Sequence, residues 1–283
     1  MSEYTKIRIG GPADYLFIAA THKDLVDILA YCAAHKIRYL VLGEGTNVFF
    51  ADTGFRGLIV INRCTSITQT DATTIRAEAG VSMDNLLATC LNASLTGFEF
   101  AAGIPGTVGG AIYGNAGAYG KTISELMTQA KILHPEGGIQ WMPPEYFQFA
   151  YRDSFLKRYP ATILAAEFRL ESGDPKAIRS RMDEILAMRH AKLPPDDWAT
   201  AGSYFKNIKT DPDNPLPAAK LLDEIGSKQT SVGDAAIYHK HANIFYNKGH
   251  ATADDVLRLE EILRERVQQK FGILLEREVM YFE

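Results

Sequence analysis

Three residues of this chain have side chains able to hold charge or move a proton: Arg152 in FAYRDSFLKR, Ser203 in TAGSYFKN and Glu278 in the closing LEREVMYFE. A planar guanidinium near a cleft holds a carboxylate well; an arginine stacked on Tyr151 or laid along the surface gives the same local pattern. Ser203 follows a glycine but has no nucleophile elbow around it, which argues against a serine hydrolase and leaves a solvated loop serine as the plain alternative. Glu276 and Glu278 share one face of a strand, opposite Val279, and simple alternation accounts for them. Tyr238 to Asn243 form a histidine cluster in which His239 and His241 fall on one face of an expected strand. No third ligand stands at a metal-like spacing, so no metal is expected there. A phosphate-facing basic strand or a plain edge strand remains.

Residues 101–120, AAGIPGTVGGAIYGNAGAYG, carry seven glycines and almost no charge. A collagen period breaks at Gly110 and Gly114. A flexible linker is excluded by the interleaved Ile104, Val108, Ile112, Tyr113 and Tyr119. The run reads as an ordered loop whose amides face a phosphate, with a crowded strand junction as the alternative. GEGTN, residues 43–47, follows an expected strand, but Val48 stands where the third glycine of a dinucleotide fingerprint belongs, so a Rossmann site is excluded. A bare turn or a backbone-lined anion site is left.

The elements that must position these residues follow from pattern. YLFIAA, a helix over THKDLVDILAYCAAHKI opened by Thr21 or Asp24, and the strand in RYLVLGEGTNVFF give an α/β order to the first sixty or so residues. GLIVIN, SITQT and TTIRAEAG read as strands and VSMDNLLATCLNASL as a helix. A helix turn and strands come after the glycine run, then a long helix with Pro175 in its first turn. The Pro, Asp and Asn density of PPDDWATAGSYFKNIKTDPDNPLP marks a boundary, so a third lobe starts near residue 193. It contains AAKLLDEIG, SVGDAAIYHKHANIFYN, a helix through DDVLRLEEILRERVQQKFG and a last strand.

Over 283 residues the hydrophobic share is 46% and the charged share 23%, which excludes disordered and fibrous classes. A net charge of −4 and a pI near 6.0, without a basic stripe, argue against nucleic acid as a partner. Three scattered cysteines fit a reducing compartment. The first residues, MSEYTKIRIGGPADY, lack a signal-peptide pattern, and no run reaches membrane-spanning length, so a soluble, cytoplasmic protein is expected.

Each motif is weak alone; their order is specific. IRIGGPA, LGEGTN, AGIPGTVGGAIYGNAGAYG, YRDSF, AGSYFKN, KLLDEIG, KHANIFYN and FGILLEREV together resemble the UDP-N-acetylenolpyruvoylglucosamine reductases (UDP-N-acetylmuramate dehydrogenases) of peptidoglycan synthesis, from about Arg8 to Val279. The resemblance implies an α+β chain: a two-lobed FAD-binding domain of the PCMH-type flavoprotein fold (1–62 and 63–192), then a smaller α+β substrate-binding domain (193–283) whose C-terminal strand returns to the active site. It implies non-covalent FAD, NADPH as reductant, a UDP-sugar enolpyruvyl ether as substrate, and a monomer. Arg152, Ser203 and Glu278 would be the catalytic set. Gly43, Gly45, Thr46, Asn47, Gly103, Gly106, Thr107, Gly109, Gly110, Asn115, Ala116 and Gly117 would hold the cofactor. Tyr151, Lys206, Asn207, Lys240, His241 and Asn243 would meet the substrate.

Residue chemistry agrees with these roles. Hydride addition to an enolpyruvyl methylene leaves charge that Arg152 and a protonated Glu278 can stabilise, and Ser203 can give a proton to the resulting carbanion carbon. Two departures from the family pattern stand out. Glu44 replaces a glycine in the first turn, so its carboxylate must point away from the cofactor or the contact differs, and Ile208 replaces a proline after FKN. The short stretch between Arg152 and Ser203 looks like the subtype without a tyrosine-bearing capping loop, which implies an open cleft. Two alternatives are a related FAD-dependent alcohol or aldonolactone oxidase and a flavin-binding protein without catalysis.

Overall fold

The computed structural model describes residues 1–208 and 215–283, and its contacts separate them into two compact units. One unit comprises 15–44 and 57–189; the other gathers 1–14, 45–56 and 190–283.

In the first unit, helix α1 (His22–His35) starts where Thr21 and Asp24 form a reciprocal capping box, so both residues read as possible openers act together. It ends at Lys36, in the left-handed region. Its face of Leu25, Leu29 and Cys32 packs on Ala19, Leu58, Val60 and Cys64. The three-stranded sheet beneath runs Ala13–Ala19, Phe55–Asn62, Tyr39–Leu42. The last two strands are parallel, with Tyr39 opposite Leu58.

A second core lies in the same unit, built on a five-stranded sheet in the order Ile139–Met142, Met127–Leu133, Thr162–Arg169, Thr74–Glu78, Ile67–Gln69. Every neighbouring pair is antiparallel. Helix α2 (Met83–Asn92), capped by Ser82, buries Met83, Leu86, Leu87, Cys90 and Leu91 into this core.

The glycine-rich run differs from the expected loop, because it contains a short helix, α3 (Val108–Tyr113). Two glycines make this a poor helix by propensity; packing imposes it. Val108, Ala111 and Ile112 are buried in the core, and the amides of Val108 and Gly109 donate to the carbonyls of Val81 and Ala79 at 2.8 and 2.9 Å. A β carbon on Gly109 would lie 3.0 Å from that of Ala79, so glycine is what lets the helix approach so closely. Helix α4 (Pro175–Lys192) begins at Pro175 as expected.

In the second unit the four-stranded sheet runs Thr200–Ser203, Ile244–Asn247, Ala235–Ile237, Ser231–Val232. Helices α5 (Ala218–Glu224) and α6 (Ala253–Phe271) cover its core. Thr252 and Asp255 form a capping box at the start of α6, while Asp52 accepts from the amides of Ala253 and Asp254 at 2.8 and 3.1 Å. Gly272, at φ 68°, ends the helix. The last strand, Met280–Phe282, runs parallel to Val48–Phe50 with Met280 opposite Val48. His239 to Ala242 do not lie on a strand: they form the turn between Ala235–Ile237 and Ile244–Asn247. The basic-strand reading of that cluster is therefore corrected, because Tyr238 and Ile244 already close a hairpin. Part of the expected boundary segment, residues 209–214, lies outside the described residues. At its edge the Ile208 amide donates to Leu216 at 2.9 Å, a bond that a proline could not make.

Candidate active site

The predicted residues fall into two groups, one in each unit. In the first unit the glycine run meets the end of strand Tyr39–Leu42. A β carbon on Gly43 would collide with the side chain of Thr107, and the Gly43 carbonyl accepts from Arg63 at 3.2 Å. The Glu44 carboxylate accepts from the Gly106 amide at 3.1 Å. The amides of Gly106, Val108 and Gly109 are all given to protein acceptors, and Gly110 is an exposed residue of the run. Its amide donates to the Thr107 hydroxyl at 3.4 Å, and among the described residues outside the helix backbone the nearest atom to a β carbon built there is that same oxygen, at 3.5 Å. Gly103, at φ 72°, packs against Leu186 and Arg189 of α4. Ala116 and Gly117 are tied into local backbone pairs with Ala111, Ile123 and Thr122.

Asn115 joins this run to the turn that carries Arg152. It is buried at φ 46°, and its side-chain nitrogen donates to the Ala150 carbonyl at 2.9 Å. Its Oδ1 is buried with no donor among the described residues. Such an orphaned acceptor costs free energy unless a bound group donates to it. Arg152 stands at φ 53°, a strained position for a non-glycine residue, and its guanidinium lies 5.5 Å from the Tyr151 ring centroid. Two residues that local reading passes over hold the turn in place. Fully buried Ser154 donates to the Tyr113 carbonyl at 2.7 Å, and Lys157 to that of Arg152 at 2.6 Å.

In the second unit Ser203 is placed by an irregular strand. Thr200 faces Tyr246 and Ser203 faces Ile244, so three steps on one strand match two on its partner. Gly202, at φ 78°, takes the extra residue, and its amide donates to the Thr200 hydroxyl at 3.2 Å. Such a bulge re-aims the residue after it. Beyond the bulge, residues 204–206 pair with 276–278: the Glu278 amide donates to Tyr204 and the Lys206 amide to Glu276, both at 2.8 Å, around the Phe205 and Arg277 bridge. Ser203 and Glu278 are thus brought onto neighbouring strands. Asn47 extends the platform, donating its side chain to the Glu278 carbonyl at 3.3 Å and accepting from the Met280 amide at 2.9 Å. Gly45, at φ 63°, passes so close to the Tyr4 carbonyl that any side chain would clash.

The predicted substrate residues of this unit divide by what they touch. Both polar atoms of the Asn243 side chain are committed to Phe205, accepting from its amide at 2.9 Å and donating to its carbonyl at 2.8 Å. Asn207 accepts from the Ala218 amide at 3.2 Å, at the start of α5. Lys206 pairs with the carboxylate of Glu276, and Lys240 is exposed in the hairpin turn. Burial, aided by Lys228, pushes the His241 imidazole below its ordinary 6.5.

Comparison with known proteins bears on both units. Residues 13–142 match the family described as an FAD binding domain, and residues 194–282 match the C-terminal domain of UDP-N-acetylenolpyruvoylglucosamine reductase. The chain is 38% identical over 280 residues to the UDP-N-acetylenolpyruvoylglucosamine reductase of Clostridium botulinum (strain Eklund 17B / Type B), spanning 99% of this chain and 90% of that one. The reductase of the same name from Caldanaerobacter subterraneus subsp. tengcongensis is 37% identical over 279 residues, at the same coverage of 99% and 90%. Among solved structures, UDP-N-acetylenolpyruvylglucosamine reductase from Thermus caldophilus aligns with a TM-score of 0.83 at 30% identity, covering 100% of this chain and 97% of that one.

Proposed function

The chain belongs to the UDP-N-acetylenolpyruvoylglucosamine reductase family, and from this membership we infer that it reduces the enolpyruvyl ether of UDP-N-acetylglucosamine to UDP-N-acetylmuramate, with FAD as cofactor and NADPH as reductant. The chemistry FAD supplies when bound is the relay of a hydride from NADPH to the methylene carbon of the enolpyruvyl group. The orphaned Oδ1 of Asn115 and the exposed position of Gly110, whose amide has only a long bond to Thr107, fit such a group. Gly43, Gly45, Gly109 and Gly117 lie where a β carbon would come within 3.0 Å of a neighbouring atom, and Gly103 and Gly106 stand at positive φ. Thr46, Asn47, Thr107 and Ala116 complete the set that would hold it.

Three residues of the chain handle the charge and the proton. Arg152 binds the substrate carboxylate with its guanidinium and stabilises the enolate that forms there. Glu278, protonated, donates a hydrogen bond to that enolate. Ser203 Oγ gives a proton to the adjacent carbon, a step that needs a very basic carbanion in contact with the hydroxyl. The observation that supports this assignment best is the Glu278 amide bond to Tyr204 at 2.8 Å, the link between the two strands that carry Ser203 and Glu278.

Lys206 and Lys240 suit the UDP diphosphate. Glu276 is 71% exposed, so its pair with Lys206 is weak and opens readily for a stronger anion. Tyr151, Asn207 and His241 are proposed as further substrate contacts, and Asn243 as the residue that holds Phe205. The subtype with an open cleft, a monomeric state and a cytoplasmic location belong to this same reading. It divides the chain into lobes 1–62, 63–192 and 193–283. Among the described residues, the buried side chains of these lobes are shared: Ile7, Ile9 and Phe49 of the first segment pack into the core of the third, and Cys64 and Leu164 of the second pack into that of the first. The test is direct: purified protein is yellow, and adding the enolpyruvyl UDP-sugar to photoreduced protein reoxidises the flavin. Absence of reoxidation refutes the reading.

A further inference from the structure

We propose that Glu260 is a positioning residue for the reduction of substrate: its buried carboxylate holds Tyr204 and Arg277, the chain neighbours of Ser203 and Glu278. The proposal rests on the roles inferred above for those two residues.

Glu260 sits on α6 and is 4% exposed. Of the six residues that this helix buries, Ala253, Val256, Leu259, Glu260, Leu263 and Val267, it alone is charged. Burying a carboxylate is costly unless it is paired, and an apolar residue at this position would pack without that penalty. The pairing is extensive. Oε2 accepts from the Tyr204 hydroxyl at 2.7 Å and lies 3.3 Å from Arg277 Nη1, an ion-pair contact rather than a directed hydrogen bond. Oε1 accepts from Arg264 at 3.0 Å, one turn along the same helix.

Backbone pairing joins residues 204–206 to 276–278, while Asn243 holds Phe205 and Asn47 holds the Glu278 carbonyl. One carboxylate oxygen that meets a side chain from each segment adds a side-chain tie between the two. The Tyr204 ring is itself fixed, stacked on Phe245 with centroids 3.9 Å apart and planes 8° from parallel. Burial, and then the Glu260 carboxylate, push its phenol far above the ordinary 10, so the hydroxyl remains a donor at any working pH. The Arg277 guanidinium lies over the rings of Tyr281 and Phe49, at 5.6 and 6.0 Å. Displacing Tyr204 or Arg277 therefore displaces the Cα of Ser203 or Glu278 one peptide away, and a shift of about 1 Å in a reacting group costs on the order of 100-fold in rate.

The experiment uses the flavin-loaded full chain and follows its two half-reactions separately by stopped-flow absorbance, for the wild type, Tyr204→Phe and Glu260→Gln. Tyr204→Phe removes only the hydroxyl and keeps the ring in its stack, so it serves if Glu260→Gln does not fold. The expected result is flavin reduction by NADPH within about twofold of wild type and reoxidation by the enolpyruvyl UDP-sugar slowed about 10- to 100-fold. The double variant should be no slower than the worse single one, since both cut the same link. Reoxidation at the wild-type rate, or equal slowing of both half-reactions, overturns the positioning role. A wild-type flavin that the substrate fails to reoxidise refutes instead the functional reading beneath it.

Discussion

Asn115 and Ala150 are joined by a 2.9 Å hydrogen bond from the asparagine side chain to the alanine carbonyl, and this bond fastens the glycine-rich run to the turn of Arg152. Asn115 stands at φ 46°, and Arg152, two residues beyond Ala150, at φ 53°. Replacing Asn115 with glycine relaxes its own backbone while cutting the strut. Asn115→Gly should therefore change stability by no more than about 1 kcal/mol, because the two effects oppose one another. Its bound flavin, read by absorbance after gel filtration, should fall well below stoichiometric. Full flavin content would show that the strut and its orphaned oxygen do not serve the cofactor.

Ser203→Ala separates proton delivery from hydride entry. NADPH should still bleach the flavin at close to the wild-type rate, while reoxidation by the UDP-sugar slows by about 100-fold or more, in the range for loss of a general acid. Normal turnover would remove Ser203 from the mechanism.

The two adjacent glycines of α3 should respond oppositely to alanine. At Gly109 a β carbon meets Ala79 Cβ at 3.0 Å and its carbonyl at 3.1 Å, so overpacking destabilises the fold by roughly 1–3 kcal/mol. At Gly110 the nearest atom is 3.5 Å away, and alanine is the better helix former by about 1 kcal/mol. Thermal melts of flavin-free protein should show Gly109→Ala lowered and Gly110→Ala unchanged or raised. Flavin titration should nonetheless show weaker binding by Gly110→Ala. A Gly110→Ala variant that binds flavin as tightly as wild type would mean its amide faces no ligand.

Glu44 places a carboxylate on the amide of Gly106, within the segment assigned to an anionic cofactor. Glu44→Gln keeps an acceptor for that amide and removes the charge. Its flavin dissociation constant should fall several-fold at low ionic strength, with the difference fading at about 1 M salt, where the Debye length is ~3 Å. An unchanged constant at low salt would place the cofactor phosphates out of reach of Glu44.

Acid should cost this fold stability at His241. Because burial and Lys228 hold the folded imidazole below 6.5, the unfolded chain binds more protons between that lowered value and 6.5. Stability from this residue is thus complete above pH 6.5 and is lost as pH falls through the folded value. His241→Gln should flatten the fall in melting temperature between about pH 7.5 and pH 5. His22, lowered mainly by burial and then by Lys131, acts in the same direction and leaves a residual slope. An identical slope in the variant would remove His241 as its source.

The elements whose signals are local, and the order of the motifs, are legible in the chain before it folds. Helix α1 could be placed because Thr21 and Asp24 cap it within one turn, and α4 because Pro175 opens it. The family was legible because its segments, from IRIGGPA to LEREV, each keep their residues close together in the chain. Tertiary structure decided the rest. The glycine run folds as helix α3 because Ala79 and Val81 accept its amides, a partnership that no propensity within the run reveals. His239 and His241 lie in a turn because Tyr238 and Ile244 pair across it. Glu44 turns toward Gly106, 62 positions away in sequence. Glu260 carried no signal among the charges of LRLEEILRER, since its role exists only where α6 buries it against Tyr204 and Arg277. Caps and periodicity act over one or two turns of chain, whereas burial and the pairing of a charge depend on groups brought together by folding, and these set where the chemistry of the site is held.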